Sequence, residues 1–408
     1  MVHCFSNTID HRTCDNGGNT FMFEETSRVK NTSAYIHIPF CEHICYYCDF
    51  NKVFLEGQPV DEYIQLLLKE IELKLQVHPT DQSETIYIGG GTPTSLSATQ
   101  LDVLLTGIHR LLPTSTTKEF TVEANPGDLT EEKLQVMKQH GVNRLSMGVQ
   151  TFNNRLLKKI GRKHTAEDVY ETIRVLEKNQ FDNVSIDLIY ALPGQTLEDF
   201  RDTLHRAIEL GLPHYSMYSL ILENKTQFMN WVRQGRLELP SQEVESRMFE
   251  EAIEAMEKSG HRQYEVSNFA AVGKESQHNL VYWNNENYYG FGAGASGYLK
   301  NERYKNFGPI QHYLRPLRDN QLPIVETELL TKKNQIEEEM FLGLRKLEGI
   351  SQKHFAEKFD VSFMDVYGKI LPELIEKNWL MVNNDRIQLT QQGLFIGNEV
   401  FEKFLLPK

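Results

Sequence analysis

The chain has 408 residues, with 43 basic and 56 acidic side chains and a formal net charge of −13. That length exceeds what a single hydrophobic core usually organises, so one large domain followed by a small one is expected. The acidic balance argues against nucleic acid as the main partner, because neutralising phosphates needs a basic face, and no apolar run reaches the roughly 20 residues of a membrane span.

Residues 1–32 carry no hydrophobic period and are rich in Asn, Thr, Asp and Gly, which reads as a disordered lead-in. Cys4 and Cys14 lie there and read as bystander thiols, and Met22 is an alternative start. With no apolar signal-peptide core, the expected location is cytoplasmic, with at most peripheral membrane contact.

Ala34–Ile38 reads as the first strand, and the stretch Cys41-Glu42-His43-Ile44-Cys45-Tyr46-Tyr47-Cys48 follows it almost at once. Three thiolates are one short of closing a 4Fe-4S cube, so one iron keeps a free position at which a small molecule can chelate. A zinc site would gather two spaced pairs of ligands, and no second cysteine pair follows. His37 and His43 flank the triplet and read as hydrogen-bonding neighbours rather than ligands.

Beyond the cysteines, short runs rich in β-branched and aromatic residues predict strands at Thr85–Ile88, Phe120–Ala124, Arg144–Val149, Val184–Ile189 and Tyr215–Leu222. Helical apolar spacing predicts helices at Asp61–Leu75, Ala98–Leu112, Thr130–His140, Ala166–Lys178 and Leu197–Leu210. Strands alternating with helices pair in parallel through right-handed crossovers. Six of them suggest a partial (β/α)6 barrel, with a doubly wound open sheet as the alternative.

In either architecture the functional residues are expected at the carboxyl ends of the strands. Gly89-Gly90-Gly91-Thr92-Pro93 follows one strand, where glycines let the backbone approach a ligand closely. Glu123 and Gln150 end the next two, Arg162 sits in the loop after a helix, and Asp187 lies inside an apolar run. A charge in such a run needs a partner, and Arg162 is the one expected.

Further on, Tyr264-Glu265-Val266-Ser267-Asn268-Phe269-Ala270 leads to His278-Asn279-Leu280-Val281-Tyr282-Trp283, and Gly290-Phe291-Gly292-Ala293-Gly294-Ala295-Ser296 reads as a close-approach turn. Residues 301–323 read as a loop-like linker. After it, Glu337–Arg345, Ser351–Phe359 and Val366–Lys377 have helical spacing, and Trp379–Val382 with Arg386–Leu389 reads as a hairpin around Asn383-Asn384-Asp385. Residues 324–408 thus suggest a small winged-helix-like α+β domain that serves for packing.

The Cys-x-x-x-Cys-x-x-Cys spacing resembles the signature of the radical S-adenosylmethionine (SAM) enzymes. Tyr35-Ile36-His37-Ile38-Pro39-Phe40-Cys41 is similar to the branch that holds oxygen-independent coproporphyrinogen III oxidase and its heme-chaperone relatives, and the likeness runs from about Ser33 to the C-terminus. It implies a 4Fe-4S cluster on Cys41, Cys45 and Cys48. It also implies SAM surrounded by Tyr35, Gly90 with its neighbour Gly91, Thr92, Glu123, Gln150, Arg162, Asp187 and Ile221, with Arg162 pairing the carboxylate.

The oxidases carry a fourth cysteine as Cys-x-Cys, whereas here Cys48-Asp49-Phe50-Asn51 resembles the chaperone branch. The His278-Asn279-x-x-Tyr282-Trp283 pattern is similar to that branch's heme motif, in which an imidazole can ligate iron and the two rings offer flat surface to a porphyrin. Residues 33–300 would therefore hold the radical SAM core and this motif. Two functions stay open: a heme chaperone that delivers heme to apo-hemoproteins, membrane-bound respiratory proteins among them, or a radical decarboxylase of coproporphyrinogen III. The missing Cys-x-Cys and the motif favour the chaperone, and the resemblance adds a cluster-dependent homodimer.

Overall fold

The computed structural model describes residues 28–30 and 32–407, so most of the expected lead-in, with Cys4, Cys14 and Met22, lies outside the described residues. Twelve strands form one sheet. From one edge they run Ile324–Leu329, Glu302–Asn306, Ser296–Leu299, Asn287–Phe291, Thr32–Ile38 and Thr85–Gly90. They continue as Glu119–Ala124, Arg144–Gln150, Val184–Tyr190, His214–Ser219, Asn268–Ala270 and Arg262–Glu265. The strands from Asn287–Phe291 to His214–Ser219 are parallel neighbours, and antiparallel strands extend the sheet on both sides. The two edge strands do not pair with each other, so the barrel stays open.

All six expected strands are present, with ends shifted by one to three residues. Their apolar positions, among them Ile36, Ile86, Ile88, Val122, Leu145, Met147, Ile186 and Leu188, are buried in one core with the helices. Helices start where side chains satisfy the free amides of the first turn: Ser97 with Gln100, Thr165 with Asp168 and Thr196 with Asp199 form reciprocal caps. Helices at Gln227–Arg233 and Gln242–Lys258 add to those expected.

The region 301–323, expected as a linker, contains the strand Glu302–Asn306 and the helix Ile310–Arg318. Its strand alternates charged residues with Tyr304 and offers no apolar run to a sequence reading. Long-range bonds hold it instead: the Tyr304 hydroxyl accepts from Gly290 N at 2.9 Å, and the buried Glu70 carboxylate accepts from Asn306 Nδ2 at 2.6 Å, Tyr313 Oη at 2.6 Å and Gly292 N at 2.8 Å. The following strand, Ile324–Leu329, pairs with it in the main sheet.

A second core gathers Ile336, Met340, Phe355, Phe363, Tyr367, Leu374, Ile387 and Phe404. It unites the helices Lys332–Gly343, Gln352–Phe359, Phe363–Tyr367 and Leu371–Glu376 with a three-stranded sheet in the order Ile350–Ser351, Arg386–Leu389, Leu380–Asn383. The helix expected over Val366–Lys377 is two short ones, with Pro372 in the first turn of the second, where its missing amide costs nothing. The hairpin forms as expected, and Asn384 takes the left-handed conformation its turn requires (φ 52°).

Candidate cofactor site

The cysteine loop lies over the carboxyl ends of the parallel strands. Cys41 belongs to the two-residue strand Phe40–Cys41, which pairs with Val53–Phe54, and Thr92 N donates to Phe40 O at 2.8 Å. The Thr92 hydroxyl lies 3.7 Å from Cys41 Sγ and Arg162 Nη1 lies 3.6 Å from Cys45 Sγ. Burial pushes the Cys41 thiol up to about 11, against the Thr92 hydrogen bond, and the Cys48 thiol up to about 12, against the charge of Lys52. Such thiols keep their protons at neutral pH unless a metal displaces them, and bound iron does so. Among the described residues no three His, Cys, Asp or Glu side chains converge on a single metal ion. Three thiols spread over the loop, two of them met by the Thr92 hydroxyl and the Arg162 guanidinium, suit a cubane in which each thiolate serves its own iron.

Arg162 is spent on this loop rather than on Asp187. Its Nη1 donates to Asn125 Oδ1 at 3.0 Å and its Nη2 to Gly148 O. A Cβ on Gly148 would sit 2.8 Å from Gln150 Nε2 and closer still to Arg162 Nη2, so the glycine gives the guanidinium its seat. Gln150 turns the chain at φ 69°, a strained value for a side chain of its kind. The expected Arg162–Asp187 ion pair is absent. Asp187 accepts from Ser146 Oγ at 3.3 Å, and burial raises its pKa against the Ser216 hydroxyl and the charge of Arg144.

Glu123 stands beneath the glycine turn. Tyr87 Oη donates to its Oε1 at 2.7 Å and Gly90 N to its Oε2 at 2.9 Å, while burial raises its pKa. Gly90 has φ 111°, and a Cβ there would press on the ring of His37, 2.9 Å from its Nε2. His37 is itself fixed between Tyr35 Oη at 2.9 Å and Asn51 O at 2.7 Å, and burial lowers its pKa to about 4, so the ring is neutral. Asn51 in turn donates to Ala293 O at 2.8 Å and Gly308 O at 2.9 Å, tying the cysteine loop to the glycine-rich turn.

Tyr35, Gly90, Glu123 and Asp187 open onto one cavity of about 260 Å³ on the concave side of the sheet. Gly91, Thr92, Gln150 and Arg162 lie outside its lining, Thr92 and Arg162 against the cysteines, and Ile221 is 64% exposed in the loop after its strand. The cavity also takes in His278, Tyr282 and Trp283. The helix Gln277–Trp283 that carries them lies at the amino ends of the strands, as the floor of the lumen, and not at the carboxyl ends where functional residues were expected. Thr85, first in its strand, meets His278 Nδ1 at 2.7 Å, and Glu119, first in the next, accepts from His278 N at 3.0 Å.

Both ring nitrogens of His278 are engaged, because Nε2 lies 2.9 Å from Tyr282 Oη. The ring stacks on Tyr87 and is 1% exposed, and burial lowers its pKa to about 3. Ligating iron would therefore require it to give up a protein partner. Tyr282 packs edge-on against Tyr288 at 4.7 Å, and the Arg345 guanidinium lies 4.5 Å over the ring of Trp283.

Sequence reading missed Thr85, Tyr87, Glu119, Arg144, Ser146, Ser216 and Tyr218. Their signal was a polar residue at every second position of an otherwise buried strand, which puts them all on the lumen side.

An open arc of parallel strands with a triple-cysteine loop over one mouth of a polar lumen is the architecture of a radical SAM protein. The Radical SAM superfamily model matches residues 35–207 and the HemN C-terminal domain model residues 330–396. The chain is 53% identical over 377 residues to the heme chaperone HemW of Lactococcus lactis, covering 92% of this chain and 98% of that protein. To the heme chaperone HemW of Bacillus subtilis it is 50% identical over 374 residues, covering 91% and 99%. The solved structure of coproporphyrinogen III oxidase (HemN) from Escherichia coli superposes with a TM-score of 0.81 at 23% identity, over 93% of this chain and 91% of that one, which speaks to the fold alone. The chain belongs to the HemW family.

Proposed function

We propose that the protein binds heme and passes it to apo-hemoproteins, holding a 4Fe-4S cluster and SAM in the same fold. What carries the reading is the motif helix Gln277–Trp283 forming the floor of the cavity that Tyr35, Gly90, Glu123 and Asp187 line. The absence of a fourth cysteine after Cys48 supports the same function.

In this reading Cys41, Cys45 and Cys48 hold the cluster, which supplies an open iron for chelation and an electron. Gly90, Gly91 and Thr92 present backbone and hydroxyl groups beside it. Glu123, buried and steered by Tyr87 and Gly90, takes the ribose hydroxyls or amino group of SAM. Arg162 faces the carboxylate from its seat on Gly148, while Tyr35, Gln150, Asp187 and Ile221 complete the surround. His278, Tyr282 and Trp283 provide imidazole and aromatic surface to heme, and the loss of a hydrogen bond at His278 Nε2 accompanies any ligation through that atom.

The recipients in this reading include membrane-bound respiratory hemoproteins, met peripherally from the cytoplasmic side, and cluster loading brings two copies together. Among the described residues no helix is long and apolar enough to cross a membrane. The second hydrophobic core supports treating the C-terminal segment as a packing domain of its own.

The test is to mix anaerobically reconstituted protein with heme and, separately, with coproporphyrinogen III, SAM and reductant. A stable heme complex without protoporphyrinogen IX is expected. Stoichiometric protoporphyrinogen IX without heme binding would make the protein a decarboxylase instead.

A further inference from the structure

Arg144 stands at the amino end of its strand, 2% exposed, and is the one Lys or Arg among the described residues that line the cavity. A guanidinium withdrawn from water needs its donors met. Here Nε has no hydrogen-bond partner, and the nearest carboxylate oxygen in an ion pair is Glu119 Oε2 at 4.0 Å. Glu119 is committed elsewhere: its Oε1 accepts from Ser276 Oγ at 3.3 Å and His278 N at 3.0 Å, and its Oε2 from Gln277 N at 2.9 Å. It caps the motif helix and leaves Arg144 short of acceptors. Asp187, on the neighbouring strand, feels the charge of Arg144 but makes no ion pair with it and is held by the Ser146 and Ser216 hydroxyls.

We propose that Arg144 makes the floor of the lumen an anion site that receives the carboxylate arm of a ligand, supplied by a porphyrin propionate or by a small alkyl carboxylic acid. The porphyrin source rests on the heme reading above; the anion site itself does not. Guanidinium is suited to the task, since its planar fork matches a carboxylate and it stays charged when buried. Size fits an arm and not a macrocycle: about 260 Å³ lies below the roughly 300–1,000 Å³ of pockets that enclose a drug-sized ligand. Tyr282 and Trp283 line the same cavity as Arg144, so an arm that reaches the guanidinium passes their rings.

The experiment uses the full chain, anaerobically reconstituted, with equal iron and sulfide content as the criterion of folding. Heme and heme dimethyl ester are titrated by Soret absorbance, and butyrate binding is followed by saturation-transfer NMR, for the wild type, Arg144→Gln and Arg144→Lys. With the porphyrin as source, the wild type binds free-acid heme about tenfold or more tighter than the ester, Arg144→Gln loses the difference and Arg144→Lys keeps part of it. With a small acid as source, butyrate binds the wild type and not Arg144→Gln, while heme and its ester bind equally. Should heme fail to bind at all while butyrate shows that same dependence, the heme reading falls and the anion site stands. Equal binding of heme and ester together with no butyrate signal in the wild type, or any carboxylate preference that survives in Arg144→Gln, overturns the proposal.

Discussion

Gly148→Ala perturbs the cofactor site through one carbon atom. The new Cβ would sit 2.8 Å from Gln150 Nε2 and closer to Arg162 Nη2, distances that force a neighbour to move. The tighter of the two contacts is with Arg162 Nη2, so the guanidinium must yield whatever the Gln150 amide does. In moving it gives up some of its contacts to Gly148 O, Asn125 Oδ1 and Cys45 Sγ. A hydrogen bond made by a charged group contributes about 1.5–3 kcal/mol. If Arg162 faces the SAM carboxylate, misplacing it by one such bond weakens SAM about 10- to 100-fold, at tenfold per 1.4 kcal/mol. Isothermal titration of SAM into anaerobically reconstituted Gly148→Ala and wild type measures this, with iron content as the control. Unchanged SAM affinity at full iron content would refute the assignment of Arg162.

Three further outcomes follow from the same geometry. Thr85→Val keeps the shape of the side chain but leaves His278 Nδ1 buried without a partner, which should lower unfolding free energy by about 1–3 kcal/mol in urea titrations; an unchanged midpoint would place a water at that nitrogen. His164 is neutral and buried, with its pKa lowered to about 4 by burial and by Arg162. Because the unfolded chain takes up that proton near pH 6.5, the stability it supports is intact above that pH and is lost between about 6.5 and 4, on the order of 1 kcal/mol per pH unit. His164→Gln should flatten that part of the wild-type profile, and parallel profiles would contradict it. Replacing Cys41, Cys45 and Cys48 with Ser should abolish iron and sulfide uptake while far-UV circular dichroism stays the same.

Six of the seven parallel strands were legible because each is a short run of β-branched and aromatic residues bounded by turn formers; Asn287–Phe291 was not, its glycine-bearing end having the look of a close-approach turn. The triplet Cys41, Cys45 and Cys48 was legible because its spacing is chemistry in itself. Glu302–Asn306 was not, since its order comes from Gly290 and Glu70, far away in the chain. Nor was the floor of the lumen: nothing local in Gln277–Trp283 says that Thr85 and Glu119, more than 150 residues earlier, will pin it beneath the barrel. Arg162 illustrates the same limit, because the sequence shows a buried acid and a nearby cation but not that the guanidinium turns to Gly148 O and Asn125 Oδ1 while Asp187 takes the Ser146 hydroxyl.

Delivery of heme is the most direct measurement of the account. Anaerobically reconstituted protein, loaded with heme and freed of excess, is mixed with an apo-hemoprotein, and the acceptor's own Soret spectrum is followed after separation. Heme should leave this protein and appear in the acceptor in stoichiometric amount. Heme that never binds, or that stays bound while the acceptor remains empty, would contradict a chaperone function.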